Sequence, residues 1–194
     1  MLRVSLMVGA VFLVSPALAQ SSQLDASSSA VPLKPAELRA EQLDALFALL
    51  HQPGTVGGPV EQQIWQLWNS SDSPTAEALL QQSERAIAAQ APVEALAILD
   101  RLTGAYPDFA EAWNKRATLY FILDRYDASL RDIEKVLDLE PRHFGALTGK
   151  GMILMRQKKY AEARAAYEEA LAVNPTLQGA EEAINAIDRI EQGI

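Results

Sequence analysis

Residues 110–141 read AEAWNKRATLYFILDRYDASLRDIEKVLDLEP, and residues 144–175 read FGALTGKGMILMRQKKYAEARAAYEEALAVNP. Each stretch closes on a proline, and a third proline at 107 stands 34 residues before Pro141, as Pro141 stands 34 before Pro175. Self-similarity at such a period marks a solenoid built from one repeated supersecondary unit. With Ala76, Ala110 and Phe144 as starts, the fourth residues are Leu79, Trp113 and Leu147, and the eighth are Ser83, Ala117 and Gly151. The eleventh are Ala86, Tyr120 and Leu154; the twentieth are Ala95, Ser129 and Ala163. The twenty-fourth are Leu99, Ile133 and Tyr167, and the twenty-seventh Leu102, Val136 and Ala170.

Positions 4, 8 and 11 fall at i, i+4 and i+7, one stripe of a first helix, and positions 20, 24 and 27 form the facing stripe of a second. Small residues at 8 and 20 let the two backbones approach, and the large residues fill the space around that contact. Proline at position 32 has no N–H and drives the residue before it out of helical geometry, so each second helix stops there.

On these residues, with Tyr126 and Tyr160 at position 17, the chain resembles the tetratricopeptide repeat family. The first unit is degenerate, with Ala86 where an aromatic is usual and Pro92 where its second helix begins, and position 7 is polar in all three (Gln82, Arg116, Lys150). The resemblance implies an all-α fold, a right-handed superhelix of three helix-turn-helix hairpins over residues 76–109, 110–143 and 144–177. Residues 178–194 read as a C-terminal capping helix, with Ala183, Ile184, Ile187 and Ile190 on one face, since a terminal repeat needs a polar outer side. Residues 35–75 read as an N-terminal helical pair packed on the first repeat. Pro35 opens its first helix, which carries Leu43, Leu46, Phe47 and Leu50; the second carries Val60, Ile64, Leu67 and Trp68. Ser73-Pro74 reads as the N-cap and first position of the next helix. This pair, Phe109–Trp113 and Glu140–Leu147 also resemble small exported bacterial tetratricopeptide proteins without established activity.

Residues 1–19 read as a secretory leader: Arg3, an apolar run from Val4 to Val14, Pro16, and the small-residue pattern Ala17-Leu18-Ala19 before Gln20. The run falls short of the roughly 20 residues a spanning helix needs. A soluble periplasmic or secreted product without stable membrane insertion is therefore expected. The absence of cysteine excludes disulfides, thiolate chemistry and a lipidated cleavage site. Residues 20–34, rich in Ser and Ala at their start, read as a flexible tail.

A formal net charge of −8 with no basic stripe argues against nucleic acid, whose phosphates are met by clustered Lys and Arg. The two histidines, His51 and His143, are both expected in turns and lack metal-pair spacing, so no metal, cofactor or catalytic residue is assigned. His143, just past a helix end, is expected to meet exposed carbonyls with a partly cationic ring. The tryptophans 65, 68 and 113 read as core.

What the family resemblance implies is a partner groove lined by positions 2, 5, 9, 12 and 13 of each first helix. These are Leu80, Glu84 and Ile87, then Glu111, Asn114, Thr118, Phe121 and Ile122, then Thr148, Met152, Met155 and Arg156. Only Asn114 matches the clamp by which some relatives hold a terminal carboxylate; Thr118 and Met152 stand where further polar groups would be needed. Adaptable methionines suit varied partners. The expected function is a non-enzymatic periplasmic scaffold or adaptor holding a segment of an envelope protein or peptide in this groove, with Arg156 reading an acidic group. Phe121 and Ile122 could equally pack under the next helix. Two other readings stand beside it: self-association as a homodimer through Leu43, Phe47 and Leu50, leaving the oligomeric state open, and an envelope hydrolase with a noncontiguous site.

Overall fold

The structure, a computed structural model, describes residues 34–193 and is helical throughout them apart from short connections; the leader and nearly all of the tail lie outside the described residues. The helices are α1 (Pro35–Leu50), α2 (Gly57–Trp68), α3 (Pro74–Ala88), α4 (Pro92–Ala105), α5 (Ala110–Ile122), α6 (Tyr126–Leu139), α7 (Phe144–Arg156), α8 (Tyr160–Val173) and α9 (Gln178–Glu191). Pairs α3–α4, α5–α6 and α7–α8 are antiparallel hairpins, stacked through α4 on α5 and α6 on α7, with α9 closing the stack against α8.

The proline period appears in the backbone. Tyr106, Glu140 and Asn174, each just before a repeat proline, leave the helix at φ −131°, −139° and −133°. Each still donates its N–H at 2.8 Å to the carbonyl four residues back, Leu102, Val136 and Ala170. The pre-proline restriction thus ends every second helix at the same point while satisfying one orphan carbonyl. Trp113 of the second hairpin donates its indole N–H to the Pro107 carbonyl at 2.9 Å, tying a large position-4 residue to the loop before it. At the opposite edge, the tight turn inside each hairpin holds its fifteenth residue in left-handed geometry: Gln90, Asp124 and Lys158, at φ 55°, 56° and 60°.

Within a hairpin the small positions do what their spacing predicts. A Cβ on Gly151 would lie 2.8 Å from the Tyr167 ring. Ser129 donates its hydroxyl to the Ala117 carbonyl at 2.7 Å, position 20 to position 8. Polar Arg116, at position 7, binds Asp132 through Nε and Nη2 at 2.7 and 2.8 Å and reaches Asp100 across the hairpin interface at 2.8 Å. The hydrogen bond and charge of Asp132 outweigh partial burial and raise the guanidinium further above its ordinary range. Ser73 caps α3, accepting from the Ala76 N–H at 3.3 Å, with Pro74 at the first helical position.

The N-terminal pair departs from expectation. It reaches far past the first repeat: Leu43, Phe47, Leu50, Val60, Ile64 and Trp68 share a core with Phe144, at the start of the third hairpin, and pack against Val173 and Leu177 beyond it. The pair is a strap fastened along the proline-loop edge. Arg39 bonds Asp72 at 2.8 Å, and Arg142, from the second proline loop, donates to Asp44 at 2.6 Å while its guanidinium lies 4.5 Å from the centre of the Phe47 ring. At the third loop, Asn174 Nδ2 donates to Glu61 Oε1 at 3.0 Å. The same contacts bury Leu43, Phe47 and Leu50, only 2–6 % exposed, so the stripe expected to make a homodimer is already spent inside the chain.

His51, just past the end of α1, sets Nδ1 2.9 Å from the Phe47 carbonyl and Nε2 3.0 Å from the Ala172 carbonyl of α8. Only the imidazolium donates to both oxygens at once, and these backbone bonds raise the ring above the ordinary histidine value.

Two consequences can be measured. Gly151→Leu and Ala163→Leu should each lose about 1 to 3 kcal/mol of unfolding free energy in urea melts followed by circular dichroism, because both overpack a filled contact; unchanged midpoints in both would refute the repeat register. The His51 bonds stabilise the fold fully below the unfolded-state value of about 6.5 and are lost as pH rises through the higher folded-state value. The stability gap between wild type and His51→Ala should therefore be larger at acid than at alkaline pH, and an equal gap at both would show that the charged ring contributes nothing.

Candidate functional site on the first-helix face

The residues expected to line a groove all belong to α3, α5 and α7, and the structure divides them. Toward the proline loops they are covered. Glu111, in the first turn of α5, is 1 % exposed, and its Oε2 accepts from Asn114 Nδ2 and from His143 Nε2, both at 3.1 Å. Its other oxygen faces Lys115 Nζ at 3.5 Å, and Lys115 in turn holds Glu84 at 2.8 Å. Burial pulls the Lys115 ammonium down, but the facing Glu111 and Glu84 together raise it above the ordinary lysine value.

His143 is wholly buried and stands as the N-cap of α7, where its Nδ1 accepts from the Ala146 N–H at 3.1 Å. An accepting Nδ1 leaves the ring proton on Nε2, which donates it to Glu111. The expected cationic ring turned toward helix carbonyls is thus corrected: the ring is a neutral cap at a helix start, where an acceptor is what the free N–H groups require. Trp68 of α2 stacks on it with centroids 4.0 Å apart and 11° between planes, and Trp65 meets it edge-on at 5.4 Å. A histidine bonded to a carboxylate is the form of an acid–base pair, but a general base must reach its substrate's proton. Here both side chains are fully buried beside the two tryptophans, and the pair holds α5, α7 and α2 together.

Leu80 and Asn114 share this covered end. Leu80, 2 % exposed, belongs to the core of the first hairpin, and Asn114 is 8 % exposed. Gln66 of α2 and Asn69, just past its end, line one cleft of about 320 Å³ with Leu80 and Glu84. Thr148, half-buried, bonds back to the Gly145 carbonyl at 3.0 Å.

Toward the tight turns the face is open. Ile122 is 60 % and Met152 46 % exposed, Thr118 and Arg156 are exposed, and Met155 is half-buried. Phe121 packs beside Tyr126, ring centroids 5.8 Å apart, against the core shared by the second and third hairpins. Of the two packing alternatives for Phe121 and Ile122, the first residue takes the core and the second takes the surface. A cleft of about 890 Å³ continues this open region past Thr148 and Met152 to Val56 and Gly57 of the strap and Leu177 before α9.

The expected site residues therefore form two groups: a sealed polar cluster around Glu111, and an open strip from Thr118 and Ile122 to Met152 and Arg156. Sequence reasoning missed the Glu111–His143 pair because it sought histidines at metal or catalytic spacing. The repeat alone gives no signal for it, since Glu77, at the same position of the first unit, instead accepts from the Ser71 N–H. The role of Trp68 had no sequence signal of its own.

Comparison with known proteins agrees with this architecture. Residues 116–177 match the family model described as tetratricopeptide repeat. A TPR repeat-containing protein of Rhizobium etli is 37 % identical over 149 residues, which cover 76 % of this chain and 73 % of that protein. Among solved structures, the first TPR of Spaghetti (RPAP3), bound to the HSP90 peptide SRMEEVD, superposes with a TM-score of 0.59 at 21 % identity, covering 62 % of this chain and 96 % of that one. MamA superposes with a TM-score of 0.57 at 15 % identity over 84 % of this chain and 87 % of its own. At such identities the two structures speak for the fold alone. The Rhizobium relative, similar over most of both chains, carries the assignment: the protein belongs to the tetratricopeptide repeat family.

Proposed function

We propose that this protein is a non-enzymatic scaffold of the bacterial periplasm that holds a segment of an envelope protein on the open half of its first-helix face. The repeat fold serves protein–protein interaction generally, and one observation supports this site: Ile122 and Met152 stand exposed side by side on neighbouring first helices, at positions that line the repeat's concave face. Arg156 follows them, and Arg125, Lys158 and Lys159 lie in the adjoining turns. None of these four cations is ion-paired among the described residues, so their charge is open to a ligand. Arg125 and Lys159 stand at helix N-caps, where a positive charge opposes the helix dipole, so fold stability does not account for them. An apolar strip beside unpaired cations suits an apolar segment carrying acidic groups. The structural neighbour whose bound HSP90 peptide reads SRMEEVD shows such a segment on this fold.

The leader reading of residues 1–19 supports export, and no helix among the described residues is long and apolar enough to cross a membrane. The test is photo-crosslinking from position 118, on the same strip, in intact cells. One defined adduct is expected, lost in Ile122→Glu or Met152→Glu while helicity is kept, and reduced in Arg156→Glu. Adducts that survive all three substitutions would place the partner elsewhere on the molecule.

A further inference from the structure

We propose that the α1–α2 strap is a detachable latch on the partner face: it leaves as a unit while the three hairpins stay folded, and its departure uncovers the Glu111–His143 half of that face. This rests on the groove reading only for its biological use; the latch itself stands on the seam. Successive hairpins are joined through apolar cores, as where Ala117, Ile133, Val136, Ala146 and Ile153 run from the second into the third. The strap is held differently. Its apolar contact is confined to a patch of Phe144, Val173, Leu177 and the His143 ring, and around that patch its fasteners to the hairpins are polar: Arg142 to Asp44, His51 to the Ala172 carbonyl, and Asn174 to Glu61. Exposed ion pairs and single hydrogen bonds each contribute little beside buried apolar area, because water replaces them at small cost. A segment so held belongs to the weakly held part of the molecule.

Opening leaves the polar cluster self-consistent. Glu111 keeps Asn114 and Lys115, and His143 keeps its cap bond to Ala146 and its bond to Glu111, since none of these partners is on the strap. The surface that opens is a shelf of His143, Phe144 and Gly145 shaped to aromatic rings, as its present occupants Trp65 and Trp68 demonstrate. The seam also includes two positions where a single atom decides closure. A Cβ on Gly145 would lie 2.5 Å from the Trp65 ring, and one on Gly57 would collide with the Thr176 side chain.

Native-state hydrogen exchange of the whole chain tests this, with two variants. In wild type, α1 and α2 amides should exchange at least about tenfold faster than those of α5 to α8, as a separate opening unit. Gly145→Ala should widen that gap by a further tenfold or so, since alanine suits helix α7 while its methyl expels Trp65. The chain has no cysteine, so Gly57→Cys with Thr176→Cys can form one disulfide only; after slight relaxation it should slow α2 exchange to the rate of α7, reversibly with reductant. Equal wild-type rates in α2 and α7 would overturn the latch whatever the variants do, and so would a disulfide that leaves α2 exchange unchanged. Either result leaves the groove reading untouched, because that reading is tested at Ile122 and Met152.

Discussion

Three residues that stand before proline, Tyr106, Glu140 and Asn174, are denied helical geometry by the ring that follows, and the rest of the molecule depends on that restriction. It stops each second helix after the same number of residues, so that the next first helix starts at the same place relative to its predecessor. Small residues at positions 8 and 20 can then meet in every hairpin. It also sets the three loops in line along one edge, where they expose the carbonyls, caps and side chains on which α1 and α2 are fastened. The strap is thus a secondary consequence of the proline period: without aligned loops there would be no edge for a helical pair to follow.

At the centre of that edge the structure accepts a buried carboxylate. Ionised groups leave water at a cost of several kcal/mol unless neighbours replace its hydrogen bonds, and Glu111 is compensated by Asn114, by the histidine N–H and by the Lys115 ammonium. Replacement of such a cluster by apolar side chains is often neutral or stabilising in proteins, so its presence is not explained by stability alone. It fixes orientation instead: a histidine that must accept from Ala146 and donate to Glu111 has one ring plane and one tautomer, and that plane is what Trp68 stacks upon.

Periodicity is what the sequence made legible. The hairpins, their small contacts, the proline stops and the Ser73 cap all repeat or follow local rules, so residues 76–177 could be read before any coordinates. The strap could be read only as two amphipathic helices. Leu43, Phe47 and Leu50 announce that one face is to be buried, but nothing local distinguishes burial against Phe144, almost 100 residues on, from burial against a second copy. The groove suffered for the same reason. Glu111, Asn114 and Leu80 occupy positions that line the face of an ideal repeat; Leu80 is taken into the first hairpin's core, and Glu111 and Asn114 bond into a cluster with His143, whose ring the strap covers, an element that the repeat pattern does not contain.

On the function proposed above, that burial bears on how a scaffold of this size is selective. A bare face along three first helices offers shape and little discrimination, since each exposed contact contributes modestly and many segments could satisfy it. Covering half of it with a segment of the same chain leaves a shorter strip, apolar at Ile122 and Met152 and cationic at the turn edge, on which a ligand must match both characters within a short length. On the latch proposal, a ligand reaching further has to supply aromatic contacts at least as good as those of Trp65 and Trp68, against an intramolecular competitor whose effective concentration is that of a tethered segment. Discrimination then comes from what the ligand has to displace as well as from what it touches.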